Sequence, residues 1–167
     1  MTPDIPTDTI SADAAADTAR GVRLQSPSSP EWVRVVRLAV LGVASRMKFS
    51  YDDVEDIKLA VSEACNNAIL HARAHDKNHG GAQEVEIEIT PFRDRLEICV
   101  SDGGHVPSPG IVAARTEPFS SVAESSHDLR ESGLGLFLMQ SLMDEVEHRT
   151  GDEQNTEVRL TKFVPRI

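Results

Sequence analysis

The stretch Glu63-Ala64-Cys65-Asn66-Asn67-Ala68-Ile69-Leu70-His71 lies inside a helix that apolar spacing predicts over about residues 52 to 74. Glu63, Asn67 and His71 recur every four residues, so they form a polar row along one side of this helix. We expect the row to line the wall of a cleft, and a solvated helix face is the alternative. Apolar residues at three- and four-residue spacing predict a separate, buried face: Val54, Ile57, Val61, Ala64, Ala68 and Ala72.

The polar row contains the side chains that chemistry at a phosphate group needs. Glu63 can accept a proton from a water or a hydroxyl group, and the side-chain oxygen of Asn67 can ligate a hard cation. Because the two residues lie one helical turn apart, both can act at the same phosphate.

The segment Val100-Ser101-Asp102-Gly103-Gly104 places an aspartate at the end of an alternating strand, directly before two glycines. A carboxylate there can accept a hydrogen bond from an exocyclic amine such as that of adenine. A plain turn is the alternative, because Asp-Gly is also a common turn signal.

The segment Ser132-Gly133-Leu134-Gly135-Leu136-Phe137-Leu138-Met139 is predicted to open a helix that continues to Val146. Glycines allow a backbone to approach phosphate closely, and the N-terminus of a helix offers free N–H groups to an anion. The segment lacks the third glycine of a dinucleotide fingerprint and the Lys-Ser/Thr of a P-loop, so neither of those sites is indicated. The helix prediction rests on the spacing of Leu136, Met139, Leu142, Met143 and Val146.

In their order and spacing, these three segments resemble the Bergerat-type ATP site shared by gyrase, Hsp90, histidine kinases and MutL. Residues 63–67 resemble the N-box, residues 102–104 the first glycine box and residues 132–136 the second. The chain more closely resembles the RsbW family of anti-sigma factors and serine-protein kinases, over about residues 22 to 164. That closer resemblance rests on GVASRM (42–47), IKLAVSEACNNAILH (57–71) and GLGLFLMQSLMDEV (133–146).

The resemblance implies a homodimer that sequesters a sigma-B-like sigma factor and uses Mg-ATP to phosphorylate a serine of a STAS-type anti-anti-sigma protein. A sigma-binding module that nucleotide only tunes, with little phosphate transfer, is a second hypothesis. The catalytic domain of a histidine kinase is a third, but the chain lacks a phospho-acceptor helical hairpin and a sensor region.

The resemblance also implies roles for individual residues. Glu63 is expected to be the catalytic base and Asn67 the Mg²⁺ ligand. Arg130 is placed to reach a γ-phosphate, with a surface arginine as the alternative, and the Thr156 hydroxyl is expected to hold a water near adenine. Asn155 stands where the family usually has glycine, which makes this turn the least certain part of the site. The expected nucleotide ligands are Asn67, His71, Asp102, Gly104, Arg130, Ser132, Gly133, Leu134, Gly135, Leu136 and Thr156.

Length and composition limit the classes of function. A chain of 167 residues has room for one domain of ordinary size, and a net charge of −10 argues against direct binding to nucleic acid. The sequence contains neither a bilayer-spanning apolar run nor the features of a signal peptide, so we expect a cytoplasmic protein without membrane contact. Residues 1–20 are predicted to be a disordered acidic tail, and residues 21–167 the ATP-binding kinase domain.

The pattern of elements predicts an α+β two-layer sandwich, in which helices cover one face of a mostly antiparallel sheet. Four strands are expected: one at Val22 and Leu24, two that alternate over residues 85–89 and 96–100, and one over 158–164. A first helix is expected after Ser29 as its N-cap. The long segment between Gly104 and Glu131 has no clear period and is predicted to be a lid over the nucleotide.

Overall fold

The computed structural model describes residues 21–75, 84–102, 128–150 and 156–165 of the chain. These residues form one five-stranded sheet in the order β1-β2-β3-β5-β4, and every neighbouring pair of strands is antiparallel. The strands are β1 (Val22–Pro27), β2 (Glu84–Pro91), β3 (Arg95–Asp102), β4 (Glu145–Thr150) and β5 (Thr156–Phe163).

Helices cover one face of the sheet, so the predicted two-layer α+β sandwich is confirmed. The central helix packs on β2, β3 and β5, and it separates the first helix from the last. None of the described helices is both long and apolar enough to cross a membrane. The helices are α1 (Val33–Ala44), α2 (Tyr51–His75) and α3 (Asp128–Leu142).

The core lies between the helices and the inner face of the sheet. Alternate residues of the strands point inward because side chains in a strand change face at every residue. The apolar face predicted for α2 is buried throughout, from Val54 to Ala72. On the outer face of the sheet, glutamates pair with arginines, as between Arg23 and Glu86 at 3.2 Å and between Arg95 and Glu97 at 2.6 Å. The strand residues of the core are Val85, Ile87, Ile89, Leu96, Ile98, Val100, Val158 and Leu160.

The prediction for the last helix was wrong at both of its ends. The helix begins at Asp128 rather than at the glycines, because Leu129, Arg130 and Glu131 are good helix formers and extend it toward the N-terminus. It ends at Leu142, and the chain then forms a strand that was not predicted, β4, which contains Val146. Pairing with β5 satisfies the backbone groups along one side of this edge strand and overrides the helical spacing that reaches Val146.

The start of the first helix also differs from the prediction. A 3₁₀ turn, Pro30–Trp32, precedes α1, and Ser29 makes no side-chain capping bond to it. The predicted tail over 1–20, most of the predicted lid, Gly104 and Asn155 lie outside the described residues.

Candidate functional site

The polar row of α2 lies where the helix faces neither the core nor open solvent. Glu63, Asn67 and His71 are all half-buried, whereas Asn66 is exposed. Cys65 faces the core, and burial raises the pKa of its thiol to about 12. The thiol therefore stays protonated at neutral pH, which is unsuitable for a nucleophile.

Gly135 of α3 lies directly against this row. A Cβ atom built on Gly135 would come within 3.1 Å of the Glu63 Oε2 atom and within 3.4 Å of the Asn67 Nδ2 atom. A Cβ atom there would require Glu63 or Asn67 to shift by a few tenths of an ångström, so glycine lets α3 lie this close to the two polar groups without displacing them. The structure thus brings together the predicted base, the predicted metal ligand and one glycine of the second glycine box.

Asp102 ends β3 beside these helices and is only 4% exposed. Its Oδ1 atom accepts a hydrogen bond from the backbone N–H of Thr156, with an N···O distance of 2.5 Å. Its Oδ2 atom lies 2.5 Å from the Nδ1 atom of His71. Asp102, Thr156 and His71, predicted separately from three segments, therefore meet at one point.

His148 of β4 is a neighbour of this cluster that the sequence did not indicate. It is opposite Val158 in the β4–β5 ladder, and one side of the residue is exposed. Partial burial and the nearby imidazole of His71 lower the pKa of His148, while the Asp102 carboxylate acts in the opposite direction. The histidine is therefore neutral at pH 7. No sequence pattern indicated it, because the predicted helix ran to Val146 and no strand was predicted between that residue and Val158.

The other predicted nucleotide ligands on α3 differ from Gly135 in their placement. A Cβ on Gly133 would meet nothing within 4 Å, so the Cβ side of this glycine faces open space rather than the polar row. Leu134 is 68% exposed, whereas Leu136 packs on the core. Because Gly133 lies inside α3, the expected free N–H groups of a helix N-terminus are not found at that glycine. Arg130 and Ser132 belong to α3, but their side chains lie outside the described part of the structure.

Comparison with known proteins assigns the family. Residues 26–162 match the histidine kinase-like ATPase domain family. The chain is 43% identical over 145 residues to the serine-protein kinase RsbW of Bacillus licheniformis, covering 87% of this chain and 86% of that protein. It is 41% identical over 143 residues to the RsbW of Bacillus subtilis, covering 86% and 85% of the two chains. The chain belongs to the RsbW family.

Solved structures share this RsbW-type fold at low sequence identity. The RsbU and RsbW domains of a Mycobacterium tuberculosis protein superpose with a TM-score of 0.58 at 16% identity, over 86% of this chain and 32% of that one. The SiaB–SiaC complex of Pseudomonas aeruginosa gives a TM-score of 0.56 at 13% identity, over 84% of this chain and 88% of the other. At these identities the likeness establishes the fold alone.

The donor set of this RsbW-family site suits a cation that arrives with a nucleotide. Among the described residues, no group of three or more His, Cys, Asp or Glu side chains is placed to hold a metal ion. Mg²⁺ in phosphate-transfer sites keeps several waters and takes one or two protein ligands together with phosphate oxygens. A single carboxamide oxygen from Asn67, beside the close approach of Gly135, fits that pattern.

Proposed function

We propose that this RsbW-family chain is an anti-sigma factor and serine-protein kinase. In this proposal it sequesters a sigma-B-like sigma factor and uses Mg-ATP to phosphorylate a serine of a STAS-type anti-anti-sigma protein. The observation that carries the proposal is the contact of Gly135 with Glu63 and Asn67, which joins the N-box to the second glycine box. Relatives that match most of the chain are named serine-protein kinases, which supports the same reaction.

Each side chain of the site has a distinct part in this proposal. Asp102 accepts the exocyclic amine of adenine, because a buried carboxylate favours a base that offers an N–H donor. Asn67 supplies a neutral oxygen to Mg²⁺, which suits a cation that phosphate groups already ligate. Bound Mg-ATP supplies the phosphoryl group that is transferred.

Glu63 takes the proton of the attacking serine hydroxyl. The residue is half-buried, so water only partly screens its carboxylate. A general base typically contributes about 10²–10⁴-fold in rate, yet it is not needed to hold the nucleotide in the ground state. Catalysis and nucleotide binding are therefore separable at this residue.

An exposed apolar row on the first helix supports the sequestering part of the proposal. Trp32, Val35 and Leu38 recur at three-residue spacing and are 40%, 45% and 62% exposed, respectively. Val35 and Leu38 lie on a side of α1 away from the buried Val36 and Val40, whereas Trp32 ends the preceding 3₁₀ turn, one helical turn before Val36. We assign this row, hereafter the α1 apolar row, to contacts with a protein, either the sigma factor or a second copy of the chain.

The decisive experiment compares Glu63→Gln with the parent protein. Glutamine keeps the size and helix propensity of the side chain but cannot accept the proton. We expect the variant to bind Mg-ATP and the sigma factor as the parent does, and to phosphorylate the anti-anti-sigma protein at least about 100-fold more slowly. Glu55→Gln is the matched control, because Glu55 lies on the same helix, its side chain is 42% exposed, and it pairs with Lys58 at 2.7 Å.

The outcomes separate the two functions under consideration. Equal phosphorylation rates in Glu63→Gln and the parent would remove Glu63 from the role of base. A parent that captures the sigma factor but transfers no phosphate to any candidate antagonist would favour the nucleotide-tuned binding module. The homodimer and the cytoplasmic location stay predictions, which sedimentation and cell fractionation can test.

A further inference from the structure

The Asp102 carboxylate is held from two sides by different elements of the fold. The backbone N–H of Thr156, at the start of β5, donates to Oδ1, and the His71 imidazole of α2 contacts Oδ2, both at 2.5 Å. Asp102 is 4% exposed, so these groups replace most of the water that a carboxylate would otherwise bind. Together they fix the plane of the carboxylate between β5 and α2.

The direction of the His71 bond follows from the chemistry of the two groups. An ionised carboxylate can only accept hydrogen bonds, so the proton belongs to the Nδ1 atom of His71. Each carboxylate oxygen has about two lone-pair positions, and one on each oxygen is used by the protein. Asp102 therefore keeps capacity for a further donor, and its orientation toward that donor is set by His71 and Thr156.

We propose that His71 is a positioning residue for base selection: its Nδ1–H bond fixes the Asp102 carboxylate in the orientation that reads the amine of adenine. This inference rests on the proposed function, which assigns Asp102 to the base. The bond from Thr156 to Asp102 comes from its backbone N–H, which every residue except proline offers at that position. The side chain that tunes base selection is therefore that of His71.

The surroundings of the His71–Asp102 pair are consistent with a positioning role for His71. His71 is half-buried, with 36% of its side chain exposed, so replacing it does not open a cavity in the core. His148 stands close enough that the imidazole of His71 contributes to lowering its pKa, after partial burial as the main cause. A neutral His148 adds no cation beside Asp102 at pH 7. The hydrogen bond from His71 is therefore the side-chain contact that orients the carboxylate.

The test compares ATP with purine riboside triphosphate, which is the same nucleotide without the exocyclic amine. Calorimetry at pH 7.5 measures both affinities for the parent, His71→Leu and His71→Asn. Leucine keeps the bulk and removes the donor, whereas the asparagine carboxamide retains an N–H that can reach a carboxylate. Leu70→Ala serves as a control, because Leu70 is adjacent and 54% exposed.

We expect the parent and Leu70→Ala to prefer ATP over the analogue. In His71→Leu the affinity for ATP should fall about tenfold while affinity for the analogue changes less than about twofold, so the preference collapses. His71→Asn should keep most of the preference. Unfolding of each variant without nucleotide reports any purely structural effect, which would weaken both ligands equally.

The contrary outcomes distinguish this inference from the proposed function. If the parent binds ATP and the analogue equally, Asp102 does not read the amine and the proposed adenine site is wrong. If the parent discriminates and His71→Leu does so equally well, His71 is not a positioning residue. Equal loss of both ligands in His71→Leu, or a loss of preference in His71→Asn as complete as in His71→Leu, would also overturn it.

Discussion

At the scale of single residues, the two glycines of the second glycine box have different physical reasons to be glycine. A Cβ atom added to Gly135 would lie 3.1 Å from the Glu63 Oε2 atom and would push this carboxylate aside, whereas Gly133 has open space on the corresponding side. Both lie in the interior of α3, where glycine is less stable than alanine by about 0.5–1 kcal/mol. Only Gly135 therefore has a packing reason for that loss of stability.

Alanine substitution of the two glycines should separate these effects. Gly133→Ala is expected to raise the free energy of unfolding by about 0.5–1 kcal/mol, because alanine favours the helix and its methyl group displaces no neighbouring side chain. Gly135→Ala should raise the free energy of unfolding by less than this, or lower it, since its methyl group displaces Glu63 and Asn67. Its affinity for Mg-ATP should fall about tenfold. Denaturant unfolding and calorimetry measure the two quantities. Equal stabilisation by both substitutions would show that the close approach of Gly135 does not constrain the helix.

Sequence spacing identified the parts of the site that lie on one element, and it missed the contacts between elements. The row of Glu63, Asn67 and His71 follows from helical geometry alone, so its half-buried position was predictable. The contact of His71 with Asp102 joins residues 31 positions apart, and no local pattern encodes it. His148 was missed for the same reason, because its place depends on how β4 pairs with β5.

At the scale of elements, α2 begins with a reciprocal cap that its sequence contains. The hydroxyl of Ser50 accepts a hydrogen bond from the backbone N–H of Asp53 at 3.1 Å, and the Asp53 carboxylate accepts one from the backbone N–H of Ser50 at 3.0 Å. The Ser50 hydroxyl also donates to that carboxylate at 2.7 Å. These bonds fix the start of the helix that carries the candidate site.

Ser50→Ala should lower the free energy of unfolding by about 1 kcal/mol at pH 7. The hydroxyl bond from Ser50 lowers the pKa of Asp53, partial burial opposes this, and Lys162 adds to the lowering. A lowered carboxyl pKa in the folded state stabilises the fold above the ordinary value of 3.8, and this stabilisation is lost as the pH falls through the lowered pKa. The difference between parent and variant should therefore narrow below pH 3.8. Denaturant unfolding at several pH values measures it, and a constant difference would contradict the role of Asp53.

The end of α3 explains why strand β4 was not predicted. Apolar residues from Leu136 to Val146 keep helical spacing, but the chain leaves the helix after Leu142. The backbone N–H of Asp144 donates to the Thr161 carbonyl at 3.0 Å, and the Asp144 carboxylate accepts from the backbone N–H of Phe163 at 2.6 Å. Contacts with β5 therefore select the turn, and β4 itself shows little apolar alternation to indicate a strand.

At the scale of the whole molecule, the α1 apolar row and the candidate nucleotide site lie on different sides of α2. The first helix packs on α2 and β2, whereas the site is built from α2, α3 and the ends of β3 and β5. The described hydrogen bonds of Asp102 are made with His71 of α2 and Thr156 of β5, not with the α1 apolar row. Protein capture and nucleotide binding should therefore respond independently to substitution.

Leu38→Ser tests this separation. Leu38 is 62% exposed, so the substitution removes little from the core, but burial of this side chain against a partner would stabilise the complex by about 1.5–3 kcal/mol. We expect capture of the sigma factor or self-association to weaken at least about tenfold, while the affinity for Mg-ATP stays within about twofold of the parent value. Tyr51→Ser is the control, because Tyr51 is 78% exposed but lies at the start of α2, outside the α1 apolar row.

Biolayer interferometry measures capture of the sigma factor, sedimentation measures self-association, and calorimetry measures the affinity for Mg-ATP. Unchanged capture and unchanged self-association in Leu38→Ser would rule out the α1 apolar row as a protein contact, and a parallel loss of ATP affinity would show that the two sides of the molecule are coupled.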